Sequence, residues 1–289
     1  MKILLTGADG FTGQEFTAFA TRAGHELITL NSDIRDYSAL LDEVGKIEPD
    51  CVLHLAAISF VGHSNDNEFY EVNVIGTNNL LKSLVETKKK ISKVLIASSA
   101  NVYGNSLHSP ISESTAPCPV NHYAMSKLAM EFMAKTYEDR LSIVFARPFN
   151  YTGAGQSKRF IIPKLVEHYA SRKSTIMLGN IDVEREFNDV SLICEAYLHL
   201  LECGEAGETY NICTGKSYSL KSVITMLEDL TQHKIQVEIN PEFVRSNEVT
   251  TLYGSPDKLL ELFRANDKSL TFTNLNGTLQ KMLASNIPS

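Results

Sequence analysis

The sequence predicts a doubly wound α/β protein, a Rossmann fold in which helices cover both faces of a parallel sheet, with a smaller C-terminal domain. The chain opens with an apolar run that meets three glycines spaced three apart, and a helical pattern follows. Strand and helix patterns then alternate, as right-handed crossovers between parallel strands require. Residues 156–185 and 219–289 lack that alternation. We therefore assign residues 1–155 plus 186–218 to the sheet domain, and 156–185 plus 219–289 to the smaller one.

The glycine loop after the first strand has the spacing of a dinucleotide-binding turn. Gly7 permits the tight turn, Gly10 lets the backbone approach a pyrophosphate, and Gly13 lets the following helix pack closely on the strand. The N-terminus of that helix then faces the anion. We predict NADH or NADPH as the cofactor, with Phe11 and Thr12 among its contacts.

The next elements follow in order. A helix is predicted over residues 11–23, and a second strand over 25–30. Asp33 comes twenty residues after Gly13, where an acidic residue often holds the adenosine ribose of NAD. Arg35 offers a guanidinium to a 2′-phosphate, so the choice between NAD and NADP stays open.

A helix over residues 36–47, with Asp36 as its N-cap, leads to a buried strand at 50–57. The small residues at the end of this strand let a cofactor lie close, and we count Leu55, Ala56 and Ala57 among its contacts. A long helix is predicted from Asn67 to Lys88, and a fourth strand over residues 93–97.

Ser99, Tyr123 and Lys127 form the candidate catalytic group. A phenol loses its proton near pH 10 in model peptides, so a tyrosine that works near neutrality needs a positive charge beside it. Lys127 supplies that charge, because positions i and i+4 share one face of a helix. Ser99 follows the fourth strand, at the edge where open α/β sheets bind ligands.

The glycine loop together with Ser99 and Tyr123-x-x-x-Lys127 resembles the extended short-chain dehydrogenases/reductases, the NAD-dependent epimerase/dehydratase family. Later segments, such as Arg147-Pro-Phe-Asn150 and Gly179-Asn-Ile-Asp-Val-Glu-Arg185, are similar to the GDP-4-dehydro-6-deoxy-D-mannose reductases. The similarity covers nearly the whole chain. It is weaker at the C-terminus, where the family has a Gly-Trp-x-Pro turn and this chain has no Trp.

This resemblance implies NAD(P)H-dependent reduction of the C4 ketone of a GDP-linked 4-keto-6-deoxyhexose, giving GDP-D-rhamnose or its 6-deoxytalose epimer. Tyr123 would give the proton, Ser99 a hydrogen bond, and Lys127 would lower the pKa of Tyr123 and contact the nicotinamide ribose. The family pattern also favours a contact of Asp33 and Ile34 with the adenine ring of the coenzyme, rather than a contact of Asp33 with the ribose.

Asn101 departs from the pattern of the related dehydratases, which place a Glu or an Asp-Glu pair shortly after the catalytic Ser or Thr. A carboxamide cannot act as that base, which leaves hydride transfer or epimerisation. In the substrate-binding domain, Arg185 and Arg245 would hold a nucleotide diphosphate. Glu248 would accept from ribose hydroxyls, Asn150 would hold the sugar, and Asn101 would also contact the substrate.

Two rival hypotheses remain. A nucleotide-sugar 4-epimerase would use the same three residues but would retain its NAD through the reaction. A dinucleotide-sensing regulator with this fold typically lacks the Tyr or the Lys, and both are present here.

Composition narrows the other possibilities. The net charge of −7 argues against nucleic acid as a partner, because phosphate binding depends on clustered Lys and Arg. No apolar stretch reaches the roughly 18 residues of a membrane span. Five scattered Cys and eight His show no metal-ligand spacing, so we predict no metal. We expect a cytoplasmic homodimer.

Overall fold

The computed structural model of the protein describes residues 1–87, 89–106, 109–243 and 249–286. The strands in chain order are β1 (Lys2–Thr6), β2 (Glu26–Thr29), β3 (Cys51–His54), β4 (Lys93–Ala97), β5 (Ile143–Pro148), β6 (Tyr151–Thr152), β7 (Thr175–Leu178), β8 (Glu184–Arg185), β9 (Asn188–Asp189), β10 (Thr209–Ile212), β11 (Tyr218–Ser219), β12 (Gln236–Ile239) and β13 (Thr251–Leu252). The α-helices are α1 (Phe11–Arg22), α2 (Tyr37–Ile47), α3 (Asp66–Tyr70), α4 (Thr77–Glu86), α5 (His122–Lys135), α6 (Ile161–Ala170), α7 (Val190–Cys203), α8 (Leu220–Thr231), α9 (Asp257–Ala265) and α10 (Leu275–Ser285).

The central sheet has six parallel strands in the order β10-β5-β4-β3-β1-β2. The strand order reverses between β1 and β3, because β2 lies on one side of β1 and β3 on the other. At such a switch point the loops after the two strands diverge and leave a crevice at their carboxyl ends. The predicted doubly wound parallel sheet is confirmed, and its switch point marks where a ligand site is expected.

Helices cover both faces of the sheet. On one face Phe16 of α1 and Ile193 of α7 pack against the strands, and on the other face Leu40 of α2, Leu81 of α4 and Met130 of α5 do so. All five side chains are completely buried. Each contributes roughly 1.5 to 3 kcal/mol relative to an exposed position, so the sheet is the stable frame on which the site is built.

A second core lies beyond the sheet. Helices α6, α8 and α10 surround the parallel pair β7 and β12, with Leu165, Val223 and Leu279 at its centre. Helix α9 falls within residues 219–289, which were assigned to the smaller domain, but it packs on the sheet domain. Its Leu259 and Phe263 pack in the core of the sheet, because the amphipathic face of α9 lies against α7 and β10.

The predicted single helix over residues 67–88 is corrected by the structure. It consists of α3, a π-helical turn over Glu71–Gly76, and α4, while Lys88 lies outside the described residues. Buried Asn73 lies in the π turn, and its side chain bonds to groups outside the helix. π turns inside helices are often found at functional sites.

Capping residues fix the helix starts that matter for the site. The Asp36 side chain accepts a hydrogen bond from the Ala39 backbone N–H at 3.1 Å, which confirms it as the N-cap of α2. The Asn121 side chain accepts from the Ala124 N–H at 2.9 Å, so α5 begins at His122. A cap of this kind stabilises a helix by about 1 kcal/mol.

Candidate active site

A cleft of about 1020 Å³ lies at the carboxyl ends of β1, β3, β4 and β5. One wall is formed by the glycine loop, by residues 55–57 and by the start of α5. The rest of the lining includes the start of α6 and residues of the second core, such as Leu178 and Leu220. The cleft therefore joins the switch point of the sheet to the smaller part of the molecule.

The glycine loop fits a dinucleotide closely. Gly7 has a φ of +71°, and a Cβ there would lie 2.7 Å from the backbone nitrogen of Ala56. A Cβ at Gly13 would lie 2.2 Å from the Gly7 carbonyl oxygen. Gly10 precedes α1 without a side-chain cap, which leaves the first backbone N–H groups of that helix available to an anion. These features form a cradle for a pyrophosphate.

Most of the predicted cofactor residues lie together, because Gly7, Gly10, Phe11, Thr12, Gly13, Leu55, Ala56 and Ala57 all line the cleft. Asp33 and Ile34 are not among the residues that line it. The Asp33 carboxylate is paired with the Arg35 guanidinium at 2.6 Å, which lowers the pKa of Asp33 through their hydrogen bonds. Ile34 is 7% exposed and packs in the core beside Gly76. Their contact with adenine stays a prediction.

Tyr151 was missed by the sequence reasoning. Its hydroxyl lies 2.7 Å from the Thr12 hydroxyl, and its ring stacks on Phe11 at a centroid distance of 6.4 Å. Tyr151 also lines the cleft, and burial raises its pKa to about 12, so it stays protonated at neutral pH. It ties the segment after β5 to the glycine loop, a contact between residues 139 positions apart that no local pattern indicates.

The predicted catalytic residues converge at the floor of the cleft. Tyr123 and Lys127 project from α5, and Ser99 follows β4; all three line the cleft and are at most 7% exposed. The Lys127 Nζ donates a hydrogen bond to the Ala97 carbonyl oxygen at 2.7 Å. This bond fixes the ammonium against the end of β4.

The electrostatics differ from the prediction of a lowered pKa for Tyr123. Burial raises the pKa of Tyr123, and hydrogen bonding with Ser99 offsets this only in part. Burial also lowers the pKa of Lys127 to about 8, although the Glu131 carboxylate acts in the opposite direction. Desolvation dominates both groups, because it disfavours a phenolate and an ammonium alike. Tyr123 is therefore held in the protonated state that a proton donor needs.

Asn101 acts on Ser99. The Ser99 Oγ accepts hydrogen bonds from the Asn101 backbone N–H at 3.2 Å and from its Nδ2 at 3.1 Å. A serine hydroxyl has two acceptor sites and one hydrogen. Because both acceptor sites are engaged, the Ser99 hydrogen remains to be donated toward Tyr123 or a bound ligand.

Of the predicted substrate residues, Asn101, Asn150 and Arg185 line the cleft, whereas Arg245 and Glu248 lie outside the described residues. The Arg185 guanidinium donates to the backbone carbonyl oxygens of Glu184, Val249 and Thr250. These bonds tie β8 to the segment that precedes β13.

Two further cationic residues on this wall were missed. Arg159 is exposed at the cleft, and Lys164 donates to the Met177 carbonyl oxygen at 2.8 Å with its ammonium 5.3 Å from the centre of the Phe243 ring. The adjacent cations Lys158 and Arg159, just before α6, are the sequence signal that could have indicated Arg159.

Within the residues that the structure describes, no cluster of His, Cys, Asp or Glu could hold a metal ion. The same residues contain no helix that is long and apolar enough to cross a membrane. The five cysteines are free thiols.

The switch-point cleft, the glycine cradle and the buried Tyr–Lys pair next to a strand-end serine define the class of extended short-chain dehydrogenases/reductases. The chain belongs to the GDP-mannose 4,6 dehydratase family, whose sequence profile matches residues 19–264. It is therefore an NAD(P)-dependent enzyme of the sugar-nucleotide branch of this superfamily.

Individual relatives agree with this assignment. A GDP-6-deoxy-D-talose 4-dehydrogenase of Aggregatibacter actinomycetemcomitans is 36% identical over 98% of this chain and 97% of the relative. A GDP-6-deoxy-D-mannose reductase of Pseudomonas aeruginosa is 33% identical over 89% of each. The solved structure of RMD from Pseudomonas aeruginosa complexed with NADPH has a TM-score of 0.89 and 29% identity, covering 99% of this chain and 98% of that one. UDP-glucose 4-epimerases also match.

Proposed function

We propose that the protein reduces the C4 ketone of a GDP-linked 4-keto-6-deoxyhexose with NAD(P)H. The product is GDP-D-rhamnose or its C4 epimer, GDP-6-deoxy-D-talose. One observation carries the proposal: Asn101 donates to Ser99 at the position where a dehydratase needs a carboxylate base. The site thus keeps the groups that protonate a ketone oxygen and lacks, at this position, the group that removes a proton from the sugar.

The residues of the chain divide the work as follows. Bound NAD(P)H supplies the hydride. Tyr123 donates its proton to the ketone oxygen, and its raised pKa keeps that proton in place until the oxygen gains charge. Ser99 donates a second hydrogen bond to the same oxygen. Lys127, whose pKa burial lowers to about 8, would stabilise the phenolate that remains and would hold the nicotinamide ribose of the bound coenzyme.

The test is an assay with four sugar nucleotides. GDP-, dTDP-, UDP- and CDP-linked 4-keto-6-deoxyhexoses are each incubated with NADH or NADPH, and absorbance of the reduced nicotinamide is followed. We expect turnover with the GDP-linked ketone, and NMR of the product then identifies the configuration at C4. If none of the four ketones led to oxidation of the coenzyme, the proposal would be overturned.

GDP-mannose provides a second measurement with the same protein. Because position 101 offers no carboxylate, we expect no 4-keto product from GDP-mannose and coenzyme. Addition of a separate GDP-mannose 4,6-dehydratase should then start coenzyme oxidation, which controls for the quality of the reagents. Appearance of the ketone without the dehydratase would mean that another group in the site acts as the base.

The epimerase alternative is supported by the matching UDP-glucose 4-epimerases. Such an enzyme re-reduces its own keto intermediate and therefore retains its NAD. Denaturing the purified protein and measuring released coenzyme separates the two functions. Stoichiometric bound NAD, with UDP-glucose converted in the absence of added coenzyme, would favour the epimerase.

We infer that Arg185, Arg159 and Arg245 hold the diphosphate, with Glu248 on a ribose and Asn150 on the sugar. The inference is supported by the position of Arg185 and Arg159 in the cleft that the glycine loop also lines. A guanidinium offers paired donors that match phosphate oxygens. The smaller domain would thus bind the nucleotide sugar while the sheet domain binds the coenzyme.

Substitution of Arg159 and of Arg185 should both raise KM, but only the Arg185 variant should also lose thermal stability. Arg159→Ala should raise the KM for the sugar nucleotide by about tenfold to a hundredfold, since a charge-assisted contact contributes roughly 1.5 to 3 kcal/mol. Arg185→Ala should raise KM similarly and also lower the melting temperature, because its bonds to Val249 and Thr250 are lost. Arg264→Ala, an exposed arginine on α9, is the matched control. Unchanged KM in both variants would remove the arginines from the diphosphate site.

We also infer a cytoplasmic homodimer that forms through α5. Phe132 and Met125 are 63% and 44% exposed, and they lie two turns apart on one face of this helix. Ile75, 52% exposed, lies on the adjacent π turn. A two-fold axis would bring this patch against its copy and bury apolar surface from both chains.

Phe132→Glu should convert the dimer to a monomer, because it places two like charges in a desolvated contact. Sedimentation equilibrium measures the mass of the variant and of the parent. Phe272→Glu is the matched control, since Phe272 is 51% exposed and far from α5 in sequence. A monomeric parent, or a dimer unaffected by Phe132→Glu, would exclude this interface.

A further inference from the structure

His54 ends β3 and is 2% exposed, yet the mechanism above does not use it. Its Nδ1 lies 2.7 Å from the hydroxyl of Thr6, which ends β1, and its Nε2 lies 2.8 Å from the hydroxyl of Thr77, which begins α4. Both ring nitrogens therefore have a partner. The histidine connects the two strands of the switch point with the helix behind them.

The hydrogen bonds of the two threonines assign the protons. The Thr77 hydroxyl donates to the Asn73 carbonyl oxygen at 2.6 Å, so it must accept from His54 Nε2–H. His54 Nδ1 then accepts from Thr6, whose hydroxyl oxygen is in turn a partner of the Ala56 N–H at 3.1 Å. His54 is thus a neutral ring with its proton on Nε2. Burial agrees with this state, because it lowers the pKa of His54 to about 3.

The network continues to the catalytic helix. The Asn73 side chain accepts from the Ile58 N–H at 2.9 Å and donates to the Ser126 hydroxyl at 2.9 Å. The Ser126 hydroxyl donates to the Tyr123 carbonyl oxygen at 2.8 Å. We call the chain Thr6, His54, Thr77, Asn73 and Ser126 the buried network; all five residues are at most 2% exposed.

The two ends of the buried network hold two different segments that line the cleft. Thr6 precedes the glycine loop, and the bonds to Ala56 and Ile58 hold the segment after β3 that lines the coenzyme side of the cleft. Ser126 holds the turn of α5 that carries Tyr123. We propose that His54 is a positioning residue, which sets the distance between the coenzyme-binding loops and the proton donor. The proposal rests on the proposed function for its kinetic readout.

The same contacts would be seen if His54 were only a structural residue of the core, but its loss would then affect a different property of the enzyme. If His54 only stabilised the fold, loss of a network bond would lower the melting temperature and leave turnover of the folded enzyme intact. If it positions the site, loss of a bond shifts Tyr123 relative to the coenzyme. A displacement of about 1 Å at a reacting centre can reduce the rate on the order of a hundredfold.

Thr77 offers the cleanest substitution. Thr77→Val keeps the shape of the side chain but removes the hydroxyl that joins His54 to Asn73, whereas Thr77→Ser keeps the hydroxyl. The matched control is Ser83→Ala on the same helix. Ser83 is also fully buried and donates to the carbonyl oxygen four residues earlier at 2.8 Å, but it has no contact with the network.

We expect Thr77→Val to lower kcat by about tenfold to a hundredfold at saturating substrate and coenzyme, with KM changed by less than about threefold. Thr77→Ser should restore kcat, and Ser83→Ala should leave it unchanged. His54→Gln, which removes the ring, should also lower kcat. If Thr77→Val does not fold, His54→Gln and Thr6→Val decide the question by the same measurements.

Amide hydrogen exchange supplies a readout that needs no turnover. Thr77→Val should speed exchange in residues 55–58 and 121–127, and Ser83→Ala should not. If the parent reduces no ketone, the proposed function fails while the exchange data still test the network. Equal exchange in the two variants at both segments, or a kcat for Thr77→Val equal to that of the parent, would overturn the positioning role.

Discussion

Tyr123→Phe should reduce turnover on the order of a hundredfold or more, because it removes a positioned acid. The ring itself should remain where it is. Tyr123 packs against Phe69 at a centroid distance of 6.1 Å and is held through its backbone carbonyl by Ser126. Both contacts survive in phenylalanine. We therefore expect an unchanged fold and nearly unchanged coenzyme affinity.

Three measurements check this result: kcat with the GDP-linked ketone, the Kd for NADPH from nicotinamide fluorescence, and the melting temperature. Tyr137→Phe is the control. Tyr137 is also buried, at 9% exposed, and it follows the same helix. Its hydroxyl donates to the Asn78 side chain at 2.8 Å, and it does not line the cleft. Turnover of Tyr123→Phe within a few-fold of the parent would show that another group protonates the ketone.

The sheet could be predicted because its signals are local. Each strand and helix has its own pattern, and the glycines at 7, 10 and 13 specify the turn between the first two elements. The catalytic group was predictable for the same reason, since Tyr123 and Lys127 are one helical turn apart and Ser99 directly follows a strand pattern. The structure places these three residues in one cleft.

Two kinds of feature could not be predicted from the sequence. One is contacts between distant positions, and the other is pKa values that depend on opposing effects. Tyr151 reaches Thr12 across 139 positions, and no periodicity links them. Lys127 was expected to lower the pKa of Tyr123, but burial raises that pKa, and the hydrogen bond with Ser99 offsets the rise only in part. The distance between two side chains can be inferred from helical spacing, whereas the amount of water removed around them cannot.

Helix α9 illustrates a third kind of limit. Its apolar face could pack on either core, and only the path of the chain after β13 decides which one it covers. The π turn before α4 could not be predicted either, because the sequence pattern of a helix with one wider turn is the same as that of an ordinary helix. An asparagine such as Asn73 is mildly unfavourable in mid-helix, but its partners Ile58 and Ser126 lie 15 and 53 positions away, where no local pattern indicates them.

Gly13→Ala should weaken coenzyme binding by about a hundredfold, the scale expected when a binding element shifts by about 1 Å. A Cβ at position 13 would lie 2.2 Å from the Gly7 carbonyl oxygen and 2.6 Å from the Ala8 Cα. Both atoms belong to the backbone, so no side chain can move aside. Either the glycine loop shifts outward into the coenzyme site or α1 moves away from the strand, and both displacements disturb the cradle for the pyrophosphate.

Gly45→Ala separates this effect from the general effect of alanine in a helix. Gly45 lies exposed in α2, and a Cβ there would meet no atom within 4 Å. This variant should gain about 0.4 to 1 kcal/mol of stability, because alanine has less conformational freedom in the unfolded chain, and its Kd for NADPH should not change. Gly13→Ala should instead lose stability as well as affinity. Titration of NADPH by fluorescence and thermal unfolding of both variants give the comparison, and a Gly13→Ala protein that binds NADPH like the parent would mean that the loop adapts without affecting the cradle.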